Sequence, residues 1–190
     1  MINETVVDNC VKLHLGAGTR DIPGYINIDI LDYPHIDIKA DLRDLPFENS
    51  SIDFIYSCAA IEHFGRKEWK GVLNHWFEKL KPGGTLRLST ADFRAACERY
   101  MEAGNIEELL GLVIGGQKDE YDWHGMIFDF EHLKTGLEEV GFVNVRKYDW
   151  RDTELNEMGI DDYSQAYIPH MDKENGRLMM LNVMADKPKI

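Results

Sequence analysis

Lys12-Leu13-His14-Leu15-Gly16-Ala17-Gly18-Thr19-Arg20, followed by Gly24-Tyr25-Ile26-Asn27-Ile28-Asp29-Ile30, is the stretch on which the reading of this chain turns. Val11, Leu13 and Leu15 alternate as in a strand with a buried face, and the alternation stops at Gly16-Ala17-Gly18. Glycine there permits both a sharp turn and a close approach of the backbone to a ligand. A turn alone would explain the glycines. The second apolar run, Tyr25 to Ile30, adds an acid at Asp29, where alternating β/α folds place a carboxylate that accepts hydrogen bonds from ribose hydroxyls. The dinucleotide fingerprint asks for a third glycine, here at position 21, and for its acid about 20 residues beyond the glycines. Asp21 stands at the former and Asp29 follows Gly18 by only 11 residues, so the spacing fits a different nucleoside-bearing ligand.

The chain has 190 residues, 44% hydrophobic and 11% aromatic, which suits one globular domain spanning 1–190 with a substantial core. No apolar run is long enough to span a bilayer, and MINETVVDNC lacks the basic start and apolar centre of a signal peptide, so a cytoplasmic location is expected. Cys10, Cys58 and Cys97 form no CxxC pair and read as small buried hydrophobes. With 34 acids against 21 bases the formal net charge is −13, a sign that opposes association with a phosphate backbone. Nucleic acid is therefore not expected as a partner.

Further along, short strands are expected at Ile36 to Ala40 and Phe54 to Ser57, the second running into a loop from Cys58 to Phe64. Trp69, Val72, Leu73, Trp76, Phe77 and Leu80 recur at helical spacing, with Pro82-Gly83-Gly84 as the stop and Thr85 to Ser89 as a fifth strand. Only about ten residues separate the first two strands, so the helix usual at that crossover must be reduced to a turn or lost. Helical spacing returns over Asp92 to Met101, Ile106 to Ile114 and Glu131 to Val140, the last closed by Gly141. Phe142 to Trp150 and Arg177 to Ala185 read as strands. The acid-rich Arg151 to Gly176 between them lacks periodicity, and a loop that long is usually functional or disordered, although an acidic run most often is a solvated face. Strands alternating with crossovers imply an α/β fold with ligands at the carboxyl ends of a mostly parallel sheet.

In this order, LHLGAGTRDIPGYINIDI, ADLRDLPFENSSIDFIYSCAAIEHF, LKPGGTLRLSTADF, EVGF and MMLNVMADKP resemble the class I S-adenosylmethionine-dependent methyltransferases. More narrowly, the chain looks like small methyltransferases associated with bacterial polysaccharide and sugar modification. The resemblance implies a three-layer Rossmann-like fold whose seven-stranded sheet has its last strand, about 178 to 185, antiparallel beside the fifth. It implies S-adenosylmethionine as cofactor and S-adenosylhomocysteine as product. Gly16, Ala17 and Gly18 would lie against its methionine and ribose parts, Asp29 would bind the ribose hydroxyls, and Ile30 would pack on adenine. Asp41 would accept from the adenine amino group with the Leu42 backbone beside it, and Ser57 would face the methionine moiety. One departure is His14, which stands where the wider superfamily has an acid that helps organise the cationic end of the cofactor.

Methyl transfer from a sulfonium mainly requires donor and acceptor to be aligned. A hydroxyl acceptor gains from a general base, most often His. His124 is the first candidate, with Asp122 to orient it, followed by His63 beside Glu62 and by His132 at a helix start; each is equally a surface or helix-terminal histidine. His35, His75 and His170 read as structural. A metal site of Asp122, His124, Asp129 and His132 is the less favoured reading of those residues, and none is expected. Tyr121, Trp123, Phe128 and Phe130 form either a stacking wall for a sugar ring or the apolar underside of a lid. The expected function is methyl transfer to a hydroxyl of a sugar, nucleotide-sugar or related small molecule. The alternatives are a non-catalytic cofactor-binding module and a nicotinamide-dependent oxidoreductase, the latter disfavoured by Asp21 and Asp29.

Overall fold

The computed structural model describes residues 10–190, so the signal-peptide reading of the N-terminus lies outside the described residues except at Cys10. Its elements are β1 (Lys12–Leu15), β2 (Ile26–Asp29), β3 (Ile38–Lys39), β4 (Ile52–Cys58), α1 (Trp69–Lys79), β5 (Leu80–Ala91), α2 (Phe93–Ala103) and α3 (Leu110–Ile114). They continue with α4 (Phe130–Val140), β6 (Val143–Lys147), α5 (Glu154–Glu157), β7 (Tyr167–Ile168), β8 (Arg177–Leu178) and β9 (Met180–Asp186). Seven strands form one sheet in the order β3-β2-β1-β4-β5-β9-β6. β1 to β5 pair in parallel, and β9 enters antiparallel between β5 and β6. This is the expected α/β methyltransferase architecture, and Gly16 to Tyr25 contains turns and no helix.

Side-chain parity divides the sheet into two unlike faces, because successive residues of a strand point to opposite sides. One face carries Leu13, Leu15, Ile28, Ile55, Leu86, Leu88, Leu181 and Val183, all buried under α1 and α4. α1 contributes Trp69, Val72, Leu73 and Trp76 to that core, a stripe of helical period. α4 approaches closely because Gly136 has no side chain: a β-carbon there would lie 2.1 Å from the Trp69 indole. Asp129 caps the first turn of α4 by accepting from His132 N–H at 2.8 Å, and Gly141 ends the helix in the left-handed region at φ 117°.

The opposite face is polar and also buried. Asn27, His14, Tyr56 and Arg87 lie directly opposite one another on β2, β1, β4 and β5, and each is 3% exposed or less. The chain between α4 and β9 covers them. Glu154 of α5 accepts from both terminal nitrogens of Arg87, at 2.8 and 2.7 Å, and from the Tyr25 hydroxyl. Arg87 also rests on the rings of Phe54 and Tyr56, 5.0 and 4.7 Å from their centroids. One row further on, the Ser89 hydroxyl donates to Asn182 at 2.6 Å, and Asn182 donates to the Ser164 carbonyl at 3.0 Å. Residues 151–176 are thus not a solvated acidic loop: they hold α5, most of one 3-10 turn and the whole of another, and β7, which pairs with β8 just beyond, with Leu155, Asp162, Ser164, Gln165 and Tyr167 buried.

Other boundaries also move. The strand expected from Arg177 is two strands, β8 pairing with β7 and β9 joining the large sheet. Helix α1 stops at Lys79, ahead of Pro82-Gly83-Gly84, because Leu80 already pairs with Ile52. Proline has no N–H for the ladder, and pairing resumes at Phe54–Thr85 after a bulge. Of the three cysteines only Cys58 is buried.

The ion pair generates a stability prediction. Burial opposes the charge on Glu154, but its hydrogen bonds to Arg87 and Tyr25 prevail and hold its carboxyl down at about 2. Its contribution is therefore complete above the ordinary value of 4.5 and is lost as pH falls through that value toward about 2. Glu154→Ala strands a buried guanidinium and is expected to cost about 3–5 kcal/mol in urea unfolding at pH 7, with a smaller cost at pH 3.

Candidate functional site

A cavity of about 360 Å³ opens at the carboxyl ends of β1, β2 and β4, where the sheet order reverses direction. Its floor is the turn after β1. Gly16 N–H and Ala17 N–H both donate to the Ile28 carbonyl, at 3.0 and 3.1 Å, folding the chain back over β2. Gly16 holds φ 69°, and a β-carbon on it would sit 2.6 Å from that of Ala60, so only glycine fits between β1 and the loop after β4. Gly18 also has positive φ, 52°, but its missing β-carbon would meet nothing within 4 Å.

Asp29 joins the two halves of the opening stretch. One of its carboxylate oxygens accepts from Gly18 N–H and the other from Leu31 N–H, both at 2.8 Å. Two of its roughly four acceptor positions remain for a ligand. Asp41 lies along the same wall and is gripped by the Arg43 guanidinium at 2.7–3.1 Å. That hydrogen bonding outweighs partial burial and lowers its carboxyl from the ordinary value, keeping it ionised. Leu42 is fixed from beneath, where its carbonyl accepts from the Trp76 indole N–H at 2.9 Å. His75 has a comparable structural task, its Nε2 accepting from Leu45 N–H at 2.8 Å.

Gly16, Ala17, Gly18, Asp29, Ile30, Asp41 and Leu42 all line the cavity. Ser57 does not. Strand parity turns it to the apolar face with Leu15 and Leu88, where its hydroxyl donates to the Leu15 carbonyl at 3.2 Å.

The four residues proposed for acid–base work are dispersed. His63 and Asp122 line the cavity, whereas His124 lies behind His63, its ring 5.0 Å away and edge-on. Asp122 does not orient His124: its carboxylate accepts from Gly116 N–H and Lys118 N–H at 3.3 Å and braces the turn before it. His124 instead donates from Nδ1 to the Leu112 carbonyl at 3.0 Å, which leaves Nε2 with its lone pair. Burial lowers its pKa from 6.5 despite the nearby Glu62 charge, so it is neutral at pH 7. Both nitrogens of His63 face carbonyl oxygens, of Trp123 and Ala59, at 3.1 Å. Each of its nitrogens thus has a backbone carbonyl as neighbour. His132 is exposed, at the start of α4 against Trp69 and Phe128, away from the cavity. Asp129 is spent on its helix cap. Among the described residues no three His, Cys, Asp or Glu side chains gather as a metal site.

Sequence reading missed Arg20, Tyr33, Arg43 and Asp162, all on the cavity wall beside Tyr163, which belongs to the acid-rich segment read as a cover for the acceptor pocket or a solvated face. Arg20 leans over the Tyr163 ring, 5.6 Å from its centroid. No local pattern flags these residues, since only folding brings positions 20 and 163 together. Of the expected aromatic wall, Tyr121 and Trp123 are exposed at the rim, while Phe128 is buried in the core under α1 and α4.

A family model described as a methyltransferase domain matches residues 23–88, which run from the turn before β2 into β5. A demethylmenaquinone methyltransferase of Staphylococcus aureus is 29% identical over 119 residues, covering 57% of this chain and 48% of that protein. The chain thus spans about half the length of the curated relatives it matches. Among solved structures, an S-adenosylmethionine-dependent methyltransferase from Archaeoglobus fulgidus superposes with a TM-score of 0.56 at 15% identity, over 94% of this chain and 87% of that one. A Burkholderia thailandensis 1,6-didemethyltoxoflavin-N1-methyltransferase with bound S-adenosylhomocysteine gives 0.56 at 12%, over 94% and 71%. Sheet order and these superpositions give the chain the fold of the S-adenosylmethionine-dependent methyltransferases, and its residues 23–88 are similar to a methyltransferase domain. No sugar-modifying subgroup is among these relatives.

The contrast between the two glycines is testable. Gly16→Ala combines positive φ with a 2.6 Å clash, and is expected to lower stability by about 2–4 kcal/mol and abolish ligand binding. Gly18→Ala carries the backbone strain alone and is expected to cost about 1 kcal/mol by denaturant titration.

Proposed function

We propose that this chain transfers the methyl group of S-adenosylmethionine to a hydroxyl of a small, sugar-like acceptor, acting as one domain over 1–190 in the cytoplasm. The observation that carries the cofactor reading is the cavity wall, where Gly16 and Gly18 meet Asp29 and then Asp41 within one opening. Asp29 takes the ribose hydroxyls on its two remaining acceptor positions, Ile30 packs on adenine, and Asp41 accepts from the adenine amino group while Arg43 holds it in place. Charge supports the same choice. Seven carboxylates and two guanidiniums line the cavity, a field that favours a sulfonium cation and opposes the diphosphate of a nicotinamide dinucleotide.

For the acceptor, the exposed Tyr121 and Trp123 at the rim offer faces on which a sugar ring can lie. Asp119, Glu120 and Asp122 beside them repel phosphate, which favours a free sugar or other polyol over a nucleotide-sugar or nucleic acid. No helix among the described residues is long and apolar enough to cross a membrane. His124 is the candidate base through its unengaged Nε2, packed edge-on against His63 of the cavity wall. The engagement of both His63 nitrogens favours a second reading, a module that binds the cofactor without transferring methyl. That reading predicts binding with no turnover on any acceptor.

Calorimetric titration tests the cofactor: S-adenosylmethionine and S-adenosylhomocysteine are expected to bind and NADH is not, and the reverse would overturn the reading. Asp29→Ala should weaken both ligands by roughly ten- to a hundred-fold, the loss of hydrogen bonds to a charged group. His124→Ala should leave S-adenosylhomocysteine affinity intact and lower turnover by about 10²–10⁴-fold. Because its pKa is lowered, the rate should rise with pH below 6.5 and level off above it, and the variant should lose that limb.

A further inference from the structure

Taking the cofactor reading above as its premise, we infer that Asp162, delivered by the segment between α5 and β7, receives the α-ammonium of the cofactor's methionine moiety in place of the acid that position 14 lacks. The sheet order sets the direction of the ligand. Asp41 follows β3 and Asp29 ends β2, so the adenosine lies over the β3–β2 side and the amino-acid end must extend past β1 toward β4. On that side the cavity meets His14, Cys58, Ala59, His63, Asp162 and Tyr163. An α-amino acid end brings a three-donor ammonium, which needs acceptors and a negative charge.

His14 supplies no charge. The Asn27 side-chain oxygen already accepts from Ile22 N–H at 3.2 Å, while its amide nitrogen donates to Asp21 at 3.0 Å. His14 Nδ1 at 2.8 Å from that oxygen is therefore the donor, and Nε2 carries a lone pair. Burial lowers the pKa of this ring from 6.5, so it is neutral at pH 7. Glu62, though buried with neither carboxylate oxygen bonded, borders a separate small pocket against Thr90 and Leu112. Asp162 is the buried carboxylate of this half of the cavity, at 4% exposure.

Its mounting is rigid and incomplete. One oxygen accepts from Ser164 N–H at 3.0 Å and from the Ser164 hydroxyl, and the other accepts from the Tyr56 hydroxyl. Three of about four acceptor positions are filled, which leaves one for a ligand. Tyr56 stacks on His14, ring centroids 5.6 Å apart, so the carboxylate is held beside the residue that replaces the acid. Arg20, which lines the same cavity and leans on Tyr163, offers a cation to the carboxylate of that zwitterionic end.

The test compares ligands that differ only at that end, by calorimetry on the wild-type chain and on Asp162→Asn. S-adenosylhomocysteine is expected to bind wild type at least about ten-fold more tightly than its deaminated analogue. Asp162→Asn should lose about ten-fold or more in S-adenosylhomocysteine affinity yet hold 5′-methylthioadenosine, which has no amino-acid end, within about two-fold. Equal loss of both ligands, unchanged S-adenosylhomocysteine affinity, or equal wild-type affinity for the parent and deaminated compounds would overturn the assignment. Should the variant not fold, Ser164→Ala, which removes one donor and leaves the carboxylate in place, must raise the preference for the aminated ligand; an unchanged preference overturns it too. If wild type binds none of these ligands, the cofactor reading itself has failed.

Discussion

A buried polar sheet face is the constraint to which much of this structure answers. Asn27, His14, Tyr56 and Arg87 run across four strands with almost no exposure, and hydrogen-bonding groups in such a place are costly unless partnered. The Arg87 guanidinium is the most demanding of them. Its partner Glu154 lies 67 residues away in sequence and also takes the Tyr25 hydroxyl, so one carboxylate ties the turn entering β2, β5 and the covering segment together. Asp162 and Ser164 complete the cover from the same segment. The opposite face, mostly aliphatic under α1 and α4, makes no comparable demand and tolerates any apolar cover of the right shape.

This division explains what was legible in the sequence. Leu13-His14-Leu15 and Leu86-Arg87-Leu88-Ser89 alternate apolar and polar, and alternation reports a strand reliably. It does not report whether the polar side meets water or a second layer. The covering segment was harder still: its buried residues include Thr153, Asp162, Ser164 and Gln165 beside Leu155 and Tyr167, and polar side chains in an aperiodic run look solvated until their partners on the sheet are known. The Pro82-Gly83-Gly84 boundary failed for a different reason, since the strand began before the residues that ordinarily break a helix and looped over them.

The candidate site divides in the same way. That Gly16, Gly18, Asp29 and Asp41 share one cavity was legible because the turn after one strand and the ends of the next two are local features with fixed offsets. Ser57 was misplaced by one step of strand parity, a detail that motif position alone does not carry. The orientation of His124 by Asp122 failed because an aspartate near a glycine pair in a tight turn satisfies backbone N–H groups first. Arg20, Asp162 and Tyr163 converge from distant parts of the chain, and no spacing rule anticipates that.

The two-faced sheet also bears on how the chain is made. Synthesis delivers β1 to β5 well before the segment at 150–168 and the inserted strand β9, so the nascent sheet waits with one face and the edge of β5 uncovered. The face left bare is the one carrying histidine, asparagine, tyrosine, arginine and serine, which water can solvate in the interval. The apolar face is partly shielded early, because α1 is translated between β4 and β5. An order of emergence that left the aliphatic face for last would expose a sticky surface to other nascent chains; here the sticky side is covered first and the wettable side closes last.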